Sequence, residues 1–189
     1  MTDFQIHTKE TAPADAEGVL DMAKQKYGRV PNLLAAMAEA LVIAEAYMVL
    51  DDLLEKTSLS VPERHVAWFT INAEHGCDYC MAAHTGGALR DGVPEEVVEE
   101  ARAVAPFTNP RLEALRQFTL QLVRQRGWVS DAEIAAFLDA GYTRRNVLEL
   151  VTVVAQKVLS NYTNHIVGTP LDGAFEKHRW ERLDDSDAA

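Results

Sequence analysis

The chain has 189 residues, 48% of them apolar and 25% charged, enough for one domain with a sizeable core and no need of disulfide staples. Lys and Arg number 18 against 29 Asp and Glu, a formal charge of -11; such a surface repels phosphate backbones, so no nucleic-acid partner is expected. No apolar run approaches the roughly 18 residues of a membrane span. Residues 1–16 also lack a basic segment leading into an apolar one, so a cytoplasmic protein away from membranes is expected.

Residues 1–13 read as an extended arm, 14–180 as one helical domain, and 181–189 as an acidic disordered tail. From Ala14 the positions Ala16, Val19, Leu20, Ala23 and Tyr27 recur at helical spacing until Gly28. Val30-Pro31-Asn32 starts a second helix with Leu33, Leu34, Met37 and Ala38 on one face. A third carries Leu41, Ala44, Tyr47, Met48, Leu50, Leu53 and Leu54. Ser60 as N-cap, Pro62 in the first turn and Glu63 at the capping-box position open a fourth, which should stop near Gly76. Cys77 begins the next, running to about Arg90.

Short helices follow over Pro94–Val104 and from Ser130 to Gly141. Between them lies a longer one with Leu112, Leu115, Phe118, Leu122 and Val123 in line. Thr143 heads a long helix, with Val147, Leu150, Val151, Val154, Val158 and Leu159 expected inward, that Gly168 ends. Met22, Met37, Met48 and Met81 read as core. No segment alternates with period two. The fold class is all-α, with eight or nine helices and a Cys-X-X-Cys at a helix N-terminus.

Only two cysteines occur, three positions apart, within Glu74-His-Gly-Cys-Asp-Tyr-Cys-Met-Ala-Ala-His84. In a cytosolic chain that pairing suggests redox or metal chemistry. On a helix starting at Cys77, positions 77, 80 and 84 share a face. Two thiols one turn apart can close a small disulfide, and the imidazole of His84 can accept the proton of Cys80. At a helix start the dipole and free N–H groups stabilise a thiolate, lowering a Cys pKa from about 8.5 to roughly 3.5–7.5. The dipole favours Cys77 as the more acidic thiol, whereas the imidazole favours Cys80.

Rival readings are a zinc site completed by His65 or His75, and two inert core cysteines. Haem attachment is excluded because Met81, not His, follows the second Cys. Neither a metal nor an organic cofactor is expected. Asn161, Asn164 and His165, near the end of the long helix, are candidates to line the site, to cap that helix or to contact a neighbouring subunit. Trp68, Phe69 and Tyr79 are candidates for an apolar pocket wall or for plain core.

Pro62-Glu63-Arg64-His65, His75-Gly76-Cys77-Asp78-Tyr79-Cys80 and His84 resemble the core of the alkylhydroperoxidase-D-like, carboxymuconolactone decarboxylase superfamily. Val30-Pro31-Asn32-Leu33-Leu34 and Asn164 to Asp172 resemble its peroxidase-related branch, and the likeness runs from about residue 14 to 177. It implies an all-helical fold that assembles as a homo-oligomer, with thiol members that reduce hydroperoxides and exchange disulfides with a protein or small-thiol reductant. Cys80 would attack the peroxide oxygen, Cys77, nearer the surface, would resolve the sulfenic acid, and His84 would be the base. The family's relay glutamate falls on His65, with Glu63 and Glu74 as neighbouring acids, and Tyr79 stands where the peroxidase has a His between its cysteines. A relay of His65 and His84 is chemically possible, since both exchange protons near neutral pH.

The leading expectation is therefore a cysteine-based antioxidant enzyme, an alkyl hydroperoxide or disulfide reductase. One alternative is a carboxymuconolactone-type decarboxylase, whose resemblance implies no dependence on a cysteine pair. The other is a non-catalytic redox sensor or binding module.

Overall fold

Among the residues described by the computed structural model, 4–181, every regular element is helical, with nine α-helices and two short 3-10 turns. In chain order the helices are α1 (Glu17–Tyr27), α2 (Asn32–Met37), α3 (Leu41–Leu54), α4 (Val61–His75), α5 (Asp78–Arg90), α6 (Glu95–Arg102), α7 (Pro110–Arg124), α8 (Asp131–Asp139) and α9 (Arg144–Val167). The acidic tail expected from 181 onward lies, beyond Glu181, outside the described residues.

Local chemistry sets the boundaries. Ser60 Oγ accepts the Glu63 N–H at 3.4 Å, while Glu63 Oε2 accepts the Ser60 N–H at 2.7 Å. The same reciprocal box recurs at Ser130 with Glu133 and at Thr143 with Asn146. Each satisfies donors that a helix start leaves orphaned, worth about 1 kcal/mol. The N-terminal arm is less free than its composition suggests. His7 is buried, its backbone N–H reaches Ala35 O at 3.2 Å, and its ring donates to Glu39 Oε2 at 2.7 Å.

Two apolar clusters form the interior. The larger gathers α4, α6, α7, α8 and the first half of α9, with Phe69, Ile71, Leu115, Phe118, Phe137, Leu150 and Val153 among its buried members. Phe118, Phe137 and Tyr142 stack in sequence at 4.3 Å per step, a favourable aromatic geometry. The smaller lies under α1, α2 and α3 and takes in Cys77, Tyr79 and Cys80 from the start of α5.

Two inward assignments are corrected. Met22 is 54% exposed and Val151 50% exposed. The buried stripe of α9 runs instead through Asn146, Leu150, Val153, Gln156, Lys157, Ser160, Asn161 and Asn164. It keeps helical period but turns polar past Val153, so reading only apolar positions misplaces the face.

Candidate functional site

The site begins with a turn. Gly76 adopts φ 66° and ψ 38°, left-handed backbone that a glycine enters without a Cβ penalty. The Gly76 N–H bonds Ala73 O at 3.0 Å and the Cys77 N–H bonds Asn72 O at 2.9 Å. This pair of bonds is a Schellman closure of α4. The chain reverses there and leaves Cys77 as N-cap of α5, with Cys80 in its first turn. The thiols therefore meet the free N–H groups and positive end of the α5 dipole.

Both sulfurs are inside the protein, Cys77 at 1% and Cys80 at 2% exposure, and both cysteines are free. This corrects the expectation that Cys77 lies nearer the surface, because α2 and the end of α9 close over the turn. Asn164 Nδ2 donates to Cys80 Sγ at 3.2 Å and, more weakly, to Cys77 Sγ at 3.7 Å. Burial pushes the Cys80 thiol up, but hydrogen bonds from Cys77, Asn164 and Asn161 together with the charge of Lys157 outweigh it, so it sits below its ordinary value. Cys77 moves the other way, raised first by donating its proton toward Cys80 and then by burial. The two opposed shifts make Cys80 the more acidic thiol of the pair. Of the two opposed sequence arguments, the outcome is the one that favours Cys80, though by another cause.

The expected cause was His84, and the structure gives that ring a different neighbour. Lys157 Nζ lies 2.8 Å from His84 Nε2, and Lys157 is 1% exposed. Burial, then Lys157, then His65 hold the His84 imidazolium well below the usual histidine range. Against the lysine ammonium, His84 Nε2 is placed to accept the hydrogen bond. His65 packs against it with ring centroids 6.2 Å apart and donates through Nε2 to Asp91 Oδ2 at 3.2 Å. Its own pKa is lowered, by burial in the first place, with Asp91 opposing. Trp68 lies beside His84 at 4.9 Å between centroids.

Other candidates separate into those the fold brings in and those it does not. Asn161 is in: its Nδ2 donates to Asn72 Oδ1 at 3.0 Å, and its Oδ1 accepts from His75 Nδ1 at 2.9 Å. Tyr79 is buried beside the thiols but acts as a clamp. Its hydroxyl donates to Asp172 Oδ2 at 2.5 Å and accepts the Leu33 N–H at 3.2 Å. Glu63 is at the far end of α4, about 18 Å of helix axis from His75, engaged by Ser60 and by Arg111 at 3.0 Å. Glu74 is paired with Arg124 at 2.9 Å, and His165 is exposed on the outer face of α9. His65 and His75 have these other partners, and no three His, Cys, Asp or Glu among the described residues are arranged to hold a metal ion.

The residue that sequence reasoning missed is Lys157. Its signal was present: Lys157, Asn161 and Asn164 follow at i, i+4 and i+7, a polar stripe on a helix otherwise rich in valine and leucine.

Residues 35–121 match the model of the carboxymuconolactone decarboxylase family. A curated tRNA-2-methylthio-N(6)-dimethylallyladenosine synthase from Rhodopirellula baltica is 29% identical over 98 residues, 52% of this chain and 20% of its own length. The chain thus spans about a fifth of that relative. Among solved structures, an alkylhydroperoxidase AhpD core described as an uncharacterized peroxidase-related protein from Ralstonia eutropha JMP134 aligns with TM-score 0.76 and 22% identity, covering 91% of this chain and 93% of the other. An uncharacterized peroxidase-related protein from Silicibacter sp. TM1040 gives 0.75 and 20%, covering 92% of each. The debrominase Bmp8, as a cysteine-to-alanine variant with 2,3,4-tribromopyrrole, gives 0.77 and 17%, covering 94% and 96%.

Proposed function

We propose that this chain, a carboxymuconolactone decarboxylase superfamily member on an AhpD-like fold, is a cysteine-based oxidoreductase that reduces a small electrophilic substrate, an alkyl hydroperoxide in the leading case. One observation carries the reading. Asn164 aims an N–H at Cys80 Sγ, in a pair where Cys80 is shifted down and Cys77 up. That is a nucleophile with its resolving partner one turn away.

The Cys80 thiolate attacks the terminal peroxide oxygen; the O–O bond breaks, an S–O bond forms, and the alkoxide leaves as alcohol after taking a proton. Cys77 then attacks the sulfenic sulfur, and its proton departs with the hydroxyl as water, leaving the Cys77–Cys80 disulfide. A dithiol, from a protein or a small molecule, returns two electrons by exchange. His65, packed against His84 and reaching Asp91, stands at the position where the resemblance puts the family's relay carboxylate. Exposed apolar residues on α3 and α9, including Val42 at 75% and Leu148 at 71%, suit a second copy of the chain in a homo-oligomer. No described helix is long and apolar enough to cross a membrane.

The structural likeness to a debrominase supports a second reading, in which the same dithiol gives its two electrons to a carbon–halogen bond. Stopped mixing of reduced protein with an alkyl hydroperoxide, and separately with a bromopyrrole, separates the two. Loss of two thiols per substrate, abolished by Cys80→Ser, is expected with the peroxide. Equal, slow peroxide consumption by wild type and Cys80→Ser would sink the leading case.

A further inference from the structure

Lys157 is an anomaly for a chain this acidic. Its side chain is 1% exposed, yet no carboxylate among the described residues pairs with it. Asp51, bonded to the adjacent Gln156 at 2.8 Å, is also taken up by Lys26 at 2.7 Å and Tyr27 at 2.7 Å. Within hydrogen-bond distance Lys157 Nζ meets His84 Nε2, at 2.8 Å. A buried ammonium needs a compensating negative charge, because desolvation of an unpaired ion is expensive. A neutral imidazole accepts its hydrogen bond but supplies no charge.

The helix geometry indicates where the charge lies. Lys157, Asn161 and Asn164 share the inward stripe of α9, as their helical spacing requires. Asn164 touches both sulfurs, while Lys157, two turns earlier, touches His84 one turn beyond Cys80 on α5. The stripe therefore runs alongside the Cys80-to-His84 face.

We propose that Lys157 is the counter-ion of the Cys80 thiolate, and that His84 is the neutral acceptor that positions the ammonium rather than the base that deprotonates Cys80. The proton of Cys80 goes to solvent when the reduced site ionises, and the resulting thiolate–ammonium pair stands in the interior where a thiol and a bare lysine would not. The groups facing the pair are few. From α5 come Cys77, Tyr79 and His84; from α3 comes Tyr47, pushed up first by burial and also by Cys80; from α4 comes His65, against His84. The one cation among them is Lys157, whose charge lowers Cys80, Cys77 and His84 alike, as a nearby positive charge must. Lys157 is a positioning residue, acting on the reacting sulfur through the field.

The inference rests on Cys80 being the nucleophile but not on which oxidant it meets, and its test needs no oxidant. In a Cys77→Ser background, which keeps a hydrogen-bond donor beside Cys80, thiolate absorbance near 240 nm is followed against pH. Lys157→Met and Lys157→Gln are both expected to reduce the thiolate fraction at pH 7 at least tenfold. The glutamine keeps a donor for His84 but no charge. His84→Gln should leave that fraction within about twofold or raise it. An unchanged titration in either folded Lys157 variant, checked by circular dichroism, overturns the proposal. So does loss of the thiolate in His84→Gln, which decides the matter even if the Lys157 variants do not fold. A normal Cys80 titration in the parent itself would instead fail the functional reading above.

Discussion

The two halves of α9 bury opposite chemistry on one continuous face. Up to Val153 the inward residues Leu150 and Val153 enter the larger apolar cluster with Phe69 and Leu115. From Gln156 to Asn164 the same face is polar, yet every inward residue is at most 5% exposed. The first half is held by transfer of apolar surface from water, which is non-directional and tolerates repacking. The second half must be held by matched donors, acceptors and charge, because each buried polar group left alone costs about 1–3 kcal/mol. Trp68 Nε1 donating to Gln156 Oε1 at 2.9 Å and Asn161 bridging Asn72 and His75 are that matching. A helix that carries both makes a rigid support for a reactive one.

The strongest way to sharpen the contrast is one substitution in each half. Leu150→Ala should destabilise the protein by about 2–5 kcal/mol through the cavity it leaves, measured by urea denaturation, with the Cys80 titration unmoved. Asn164→Ala should cost less stability but slow alkylation of Cys80 at pH 7 by roughly ten- to hundredfold, the worth of a hydrogen bond to a charged group. If the two swap effects, so that the leucine changes reactivity and the asparagine only stability, the division of α9 is wrong.

The same contrast explains what could be read from the chain and what could not. Ser60, Pro62 and Glu63 announce a helix start by local rules, and the box is there. Gly76 before Cys77 places the thiols at a helix N-terminus because a Schellman turn is written within a few residues. Eight or nine helices were expected and nine α-helices are found among the described residues. Lys157 shows its helical register locally but not its partner: it meets His84 across 73 positions of sequence, a partnership that only the packing of α5 on α9 creates. Asn164 was legible as a candidate, but its neighbour His165, one residue on and so about 100° around the helix, faces outward. Periodicity separates the two only once the inward stripe is known to include polar residues.

A smaller effect comes from pH. Cys80 is held below its ordinary value in the folded, reduced protein, so it behaves as an acid whose charged form the fold prefers. Its contribution to stability is present in full above the unfolded thiol value of about 8.5 and is lost as pH falls through the lower folded value. Comparing reduced wild type with reduced Cys80→Ala by thermal unfolding, the stability gap in favour of wild type should widen as pH rises toward about 8.5, above which the raised Cys77 works against it. In the oxidised proteins that dependence should vanish for lack of a thiolate. A gap that narrows with rising pH below about 8.5 would mean that the interior prefers the thiol.

The smallest expected effect concerns the other polar cluster, at the start of α4. Burial raises the Glu63 carboxyl, but Ser60 and Arg111 outweigh it and hold it below the usual range, a shift of the kind that flags functional groups. Here the partners account for it structurally: a helix cap on one oxygen and a guanidinium on the other, with Arg111 also bonded to Gly141 O at 2.8 Å and stacked 4.0 Å over Tyr142. Glu63→Ala should therefore destabilise the fold by about 1 kcal/mol, the ordinary value of a lost cap interaction, and that loss should disappear as pH falls and the carboxyl is protonated in wild type as well. The Cys80 titration should not move, since the whole length of α4 separates the two. A shift in that titration would place Glu63 in communication with the thiols through His65, two residues on along α4. The first turn of α4 would then belong to the polar, reactive region rather than to the scaffold.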